Sequence, residues 1–167
     1  MVSGTVPGRD ELGVKTQLVL EGSPDVQDSA TSEVKPPFAD METEKLALDP
    51  KVIGPGVRAI FDDADKGQYF VAEIGGRVVG CLLITHEWSD WRNGDIWWIQ
   101  SVYVHADFRR RGLFAGLYRH VEKAARAVAA VGLRLYMEED NAAAQATYER
   151  MGMHVTNYRV LERMFKA

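Results

Sequence analysis

The hydrophobic pattern of this chain changes period part-way along, and the change outlines its elements. Gln68–Ile74 alternates as a strand, Gly75-Gly76 marks a tight turn where positive φ is cheap, and residues 77–87 form a longer strand. Residues 88–94 are a polar and aromatic loop, and residues 95–104 a third strand. The period then switches. Leu113, Leu117, Val121, Ala124, Ala125 and Val128 recur at spacings of three and four, which predicts an amphipathic helix over residues 112–130. A short strand follows over 133–137, after a stop at Gly132. Asn141 caps a second helix that reaches about Met151 and ends at Gly152, and residues 153–165 return as a final strand.

Upstream the pattern is poorer. Residues 1–13 are a leader rich in Gly, Pro and charge, and 14–20 are a candidate first strand. Pro36-Pro37 forbids a helix through 23–40. Residues 42–61 predict one helix, interrupted near Gly54-Pro55-Gly56. The order from residue 68 is strand–strand–strand–helix–strand–helix–strand, an α/β chain with a mixed sheet. The division expected is a leader with a possible first strand over 1–40 and the functional domain over 41–167.

Composition narrows the classes. At 167 residues, 46% of them hydrophobic, the chain has material for a core and for one domain, two at most. One cysteine, Cys81, excludes a disulfide scaffold and a cysteine-based zinc cluster, and no metal is expected. The net charge of −4 hides a split. Residues 1–50 set four basic against ten acidic side chains, whereas residues 51–167 carry sixteen against fourteen. A nearly neutral main part argues against nucleic-acid binding. No stretch approaches the roughly 20 apolar residues of a membrane span, and the start lacks a secretory pattern, so no membrane partner and a cytoplasmic location are expected. All four tryptophans, Trp88, Trp91, Trp97 and Trp98, crowd one short stretch.

Two segments carry candidate chemistry. In the first, a strand through Val102, Tyr103 and Val104 runs into a loop with Arg109, Arg110 and Arg111, and Gly112 opens the helix through Leu113, Phe114 and Ala115. A helix start offers unpaired N–H groups and partial positive charge, glycine allows close approach, and arginines add bidentate donors, so the segment suits a phosphate. An ordinary strand–helix turn with a solvated basic run is the plain alternative. In the second, Asn141, Ala144, Tyr148 and Gly152 stand in regular register, and Asn141 and Tyr148 lie about two helical turns apart on one side. Here the plain alternative is a capping Asn and a core Tyr.

Together the two segments resemble the GCN5-related N-acetyltransferase (GNAT) superfamily. Its acyl-CoA loop, Arg/Gln-x-x-Gly-x-Gly/Ala, is matched by Arg109 to Phe114, and its later Asn-x-x-Ala-x-x-x-Tyr-x-x-x-Gly by Asn141, Ala144, Tyr148 and Gly152. Phe114 stands where the family has a small residue; its backbone N–H is still there, so pyrophosphate binding is expected with altered packing beneath. The resemblance implies a mixed, mostly antiparallel central sheet flanked by helices, acetyl-CoA as co-substrate, and a primary amine, a small molecule or amino-acid-like, as acceptor. It implies that the backbone of Val102, Tyr103 and Val104 pairs with the pantetheine arm. Residues Arg109, Arg110, Arg111, Gly112, Leu113, Phe114 and Ala115 would surround the pyrophosphate. A strand N–H near Val102 would stabilise the oxyanion. Asn141 would orient the cofactor, and Tyr148 would bind it and protonate the leaving thiolate. A homodimer fits the superfamily too.

The base that takes the ammonium proton is less defined, because the strand position where the superfamily often has Glu falls on Gln100, which cannot titrate. Water, His86, His105 and Glu87 are the candidates, with Glu87 first. Trp97 and Trp98 point to opposite faces of their strand, so one is core by geometry. Trp98, Gln100 on the same face, and Trp88 are candidate acceptor-wall residues, beside Glu87 and Asp90 as suits a cationic amine. Packing at the sheet edge is the competing role for the tryptophans. Two other classes compete: a non-catalytic acyl-CoA or nucleotide binding module, and a single-stranded nucleic-acid binder built on Trp and Arg. Against the latter, the arginines cluster at a helix start and do not alternate with the aromatics.

Overall fold

The computed structural model describes residues 15–18, 49–74 and 77–165. The chain forms two compact units, residues 1–136 and 137–167. In the first, β1 (Lys15–Leu18), β2 (Gln68–Ile74), β3 (Arg77–Ser89), β4 (Gly94–Val104) and β5 (Gly132–Leu135) lie side by side in sequence order in one five-stranded sheet. All neighbours are antiparallel except β4 and β5, which run parallel across the helical crossover α2 (Leu113–Ala127). Helix α1 (Pro50–Asp62) precedes β2. The second unit holds α3 (Ala142–Arg150).

Alternation on the strands divides the core between two faces. Phe70, Leu82, Ile84, Trp97 and Ile99 are buried on the face that α2 covers with Leu117 and Val121. Phe70 joins Trp97 and His120 of α2 through ring contacts of 6.2 and 5.8 Å. Each fully buried side chain of this kind contributes about 1.5–3 kcal/mol. Gly80 permits the close approach: a Cβ there would stand 3.0 Å from the Tyr103 carbonyl oxygen and 3.6 Å from Leu117 Cδ1. On the opposite face α1 meets β2, with Phe61 stacked on Tyr69 at 5.5 Å. Cys81 is buried on that face, and burial pushes its thiol up to about 12.

A bulge shapes β4. Leu83 pairs with Ser101 and Ile84 with Ile99, so Gln100 is an extra residue in the ladder. The ladder with β5 ends at Ile99–Leu135, whereas the ladder with β3 continues to Gly80–Val104. The two parallel strands therefore part company at the bulge.

Several expectations are corrected. Helix α1 runs unbroken through Gly54-Pro55-Gly56. Asp49 caps it by accepting from the Lys51 N–H at 2.9 Å, and Pro55, on the exposed side, costs it a single backbone bond. Residues 42–48, like the Gly75-Gly76 turn, lie outside the described residues. Strand β3 extends to Ser89, which puts Trp88 in the strand and leaves only 90–93 as the connecting loop. Helix α2 stops at Ala127 and not at 130. The Ala129 N–H donates to the Arg126 carbonyl (3.1 Å) and the Ala130 N–H to that of Ala125 (2.9 Å), with Ala129 in the left-handed region at φ 59°. That is a Schellman closure built on alanine, so Gly132 is released to begin β5.

The largest correction is at the end: residues 153–165 form no strand. Tyr158, Leu161, Met164 and Phe165 are 74–96% exposed. Apolar and β-branched residues make a strand only where a neighbouring strand takes up their backbone groups, and among the described residues no ladder includes this segment.

Candidate active site

The first candidate region follows from how β4 ends. The His105 N–H donates to the Val79 carbonyl at 2.9 Å, and a 3-10 turn over Ala106–Phe108 leads to three exposed arginines. Arg109 donates from Nε to the Val104 carbonyl at 3.0 Å, so it fastens the loop to the strand end. Arg110 adopts a left-handed φ of 59°, and the Arg111 guanidinium lies over the Phe108 ring at 5.3 Å. Gly112 is the N-cap residue of α2, at φ 78°, where a Cβ would be strained. It supplies no side-chain cap, and the first helical bond is from the Gly116 N–H to the Gly112 carbonyl at 2.9 Å. The start of α2 therefore presents backbone donors beside three guanidinium groups, a fit for a phosphate group. Leu113 is buried at 2% exposure and anchors this turn. Ala115 is half-buried, and Phe114, also half-buried, packs 6.3 Å from Tyr118.

The second region lies before the bulge, where β4 is still paired with β5, on the face away from α2. Glu87, Trp98 and Arg134 meet there from β3, β4 and β5. Arg134 Nη1 donates to both Glu87 oxygens, at 2.9 and 3.1 Å, and Trp98 Nε1 donates to Glu87 Oε2. The Arg134 guanidinium lies 5.5 Å over the Trp98 ring, which meets Tyr136 at 4.5 Å. Gln100 shares this face and donates to Thr85 Oγ1 at 2.8 Å.

The expected site residues thus separate. Trp98, Gln100 and Glu87 come together, while Trp88 points to the other face and is 63% exposed. Trp97 is core at 6% exposure, with the His86 ring edge-on at 5.4 Å. His105 sits at the start of the arginine loop, with Arg77 Nη2 3.2 Å from its Nε2 and the Asp107 N–H donating to its Nδ1 at 3.3 Å. In the second unit, Asn141 caps α3 by accepting from the Ala144 N–H at 3.0 Å. Tyr148 is a half-buried residue of that helix, and Gly152 ends it at φ 88°. Among the described residues there is no group of three or more His, Cys, Asp or Glu placed to hold a metal, and no helix long and apolar enough to cross a membrane.

The chain as a whole has counterparts among known proteins. The sequence matches the Acetyltransferase (GNAT) family over residues 36–153. The chain belongs to the GNAT acetyltransferase family. A possible acetyltransferase from Clostridium difficile 630 is 35% identical to this GNAT chain, covers 92% of it and 99% of its own length, and superposes with a TM-score of 0.78. The ribosomal-protein-alanine N-acetyltransferase of Brucella melitensis biovar Abortus 2308 shares the fold at 17% identity, with a TM-score of 0.70 over 92% of this chain and 99% of that one. An aminoglycoside acetyltransferase from an uncultured soil metagenomic sample, solved with sisomicin, does so at 12% identity and 0.68, over 92% and 96%. No curated protein matches the sequence. This GNAT protein is an acyl-CoA-dependent N-acetyltransferase with a mixed α/β fold.

Sequence reasoning missed Arg134 and Tyr136. The available signal was a lone arginine inside the apolar run Leu133-Arg134-Leu135. Only the parallel register, which sets Arg134 beside Trp98, gives it meaning.

Proposed function

We propose that this GNAT protein transfers the acetyl group of acetyl-CoA to a primary amine of a small-molecule acceptor, by direct attack within a ternary complex. The observation that carries this is the continuity of the stretch of β4 beyond its ladder with β5, the arginine loop and the uncapped start of α2. The backbone of Val102 to Val104 lies along the pantetheine arm as an added strand would. Arg109, Arg110 and Arg111 and the N–H groups from Gly112 to Ala115 hold the pyrophosphate. Acetyl-CoA supplies the thioester. As the amine nitrogen bonds to the acetyl carbon, the carbon–sulfur bond breaks; the motif match gives Tyr148, a phenol protonated at neutral pH, as the donor of the thiolate's proton, and the proton that the new amide nitrogen sheds returns through water to the phenol. The ammonium proton leaves through water. Glu87 is less suited to collect it, since both its oxygens already accept from Arg134 and one from Trp98.

The two named fold relatives act on a ribosomal-protein alanine and on an aminoglycoside, so the fold by itself does not choose an acceptor. Free-thiol release from acetyl-CoA across a panel of primary amines tests the proposal. Release with at least one amine is expected, and Tyr148→Phe should slow it about 10²-fold or more. An unchanged rate in that variant removes Tyr148 as the acid. Silence with every amine, with CoA retained in native mass spectrometry, favours a binding module instead.

A further inference from the structure

The acceptor proposed above carries an amine; the cluster on β3, β4 and β5 speaks to what else it carries. Glu87 is a poor anchor for that amine. Its oxygens already accept three hydrogen bonds from two donor atoms, two from Arg134 Nη1 and one from Trp98 Nε1, and an ammonium would have to displace one of them. The arginine is in the opposite condition. Only Nη1 is engaged; among the described residues Nε and Nη2 of Arg134 make no hydrogen bond. A guanidinium has five donors in a fixed planar fork, so Nε–H and both N–H groups of Nη2 remain, and Nε–H with one Nη2 N–H forms a bidentate edge. The side chain is 33% exposed, so part of it meets solvent.

The fork is also held still. Glu87 clamps one end, and the guanidinium plane rests over Trp98, itself tied to Glu87 and packed on Tyr136. Holding a donor fork in place before binding lowers the entropic cost of using it. Planar bidentate geometry matches a carboxylate, and the surrounding ring surfaces suit a short carbon chain. The Glu87 charge balances that of Arg134 without occupying the free edge.

We propose that Arg134, positioned by Glu87 and Trp98, is a specificity-determining residue that binds a carboxylate of the acceptor, so that the acceptor is an amino-acid-like molecule carrying both a primary amine and a carboxylate. This rests on the acetyl-transfer reading of the same chain.

The test uses two matched series with acetyl-CoA: ω-amino acids from glycine to 6-aminohexanoate, and n-alkylamines of equal chain length. The best amino acid is expected to exceed its alkylamine in kcat/KM by at least 10-fold, mostly through KM. In Arg134→Gln that ratio should fall to about 1, and Arg134→Lys should restore part of it. Glu87→Gln, which keeps an acceptor for Trp98 and loosens the arginine, should lower the ratio while thermal melting confirms folding. An alkylamine equal to or better than its amino acid overturns the inference and leaves acetyl transfer standing, as does a ratio untouched in Arg134→Gln. If no acceptor releases thiol, tryptophan fluorescence of the CoA-bound protein titrated with 6-aminohexanoate and with hexylamine decides. Binding of the acid alone, lost in Arg134→Gln, keeps the carboxylate subsite while the transfer reading falls; no such binding overturns both.

Discussion

Trp97 and Trp98 are neighbours in sequence with opposite fates. Trp97 is buried beneath α2 among Phe70, His86 and the aliphatic core. Trp98 looks to the other face, where its ring meets Arg134 and Tyr136 and its N–H is spent on Glu87. One face is closed by apolar packing, which is non-directional and tolerates no vacancy. The other, around Trp98, is held by directional polar contacts that leave donor capacity over. Identical side chains therefore stabilise the fold at one position and, at the next, are proposed to shape a site.

The contrast can be broken most forcefully at Trp97. Trp97→Ala should cost about 3–5 kcal/mol in denaturant unfolding, whereas Trp98→Ala should cost clearly less and raise acceptor KM instead. Equal losses of stability would end the distinction. The arginine loop is an intermediate case, since its backbone belongs to the helix that closes one face. Gly112→Ala, at φ 78°, should destabilise by about 1 kcal/mol and raise the KM for acetyl-CoA several-fold, with acceptor KM little altered.

Titration separates the faces as well. His120, on the closed side against Phe70, is held below its ordinary value of 6.5, first by burial and then by the Lys123 charge. A depressed histidine favours the fold only while neutral. That stability is present above pH 6.5 and is lost as pH falls toward the lowered value, so Tm should drop with acidification, less so in His120→Gln. Cys81, buried on the opposite face beside the α1 contact, behaves with the reverse sign. Its contribution is complete below the free-thiol value of 9.0 and fades as pH rises toward about 12. At pH 8 the native thiol should react with a disulfide reagent far more slowly than in the unfolded chain. The smallest effect concerns the cover itself. Ala129→Gly should relieve the left-handed strain at the end of α2 and add about 0.5–1 kcal/mol, without moving either substrate's KM.

Legibility followed the range of the forces involved. The strand pattern of β2 to β4, the amphipathic stripe of α2, and Asn141 and Gly152 at the ends of α3 were written in local periodicity and capping chemistry. Gly112 was legible because a helix start after a strand needs its backbone freedom. The unbroken α1 was misjudged, since Gly-Pro-Gly reads as a stop although the helix loses only one bond to it. Residues 153–165 were misjudged the other way: their composition suits a strand, but composition supplies no pairing partner.

By itself, then, the sequence determined the element order from β2 to α3, the arginine loop at the start of α2, the family resemblance and the split between Trp97 and Trp98, because each is set by residues within a few positions of one another. Tertiary structure alone decided that Gln100 is a bulge, that Trp88 and Trp98 lie on opposite faces, and that Glu87 is bound to Arg134. Those facts depend on register between strands, and Arg134 lies 47 positions from Glu87 in the chain. No local pattern encodes a pairing at that separation; the packing of five strands into one sheet does.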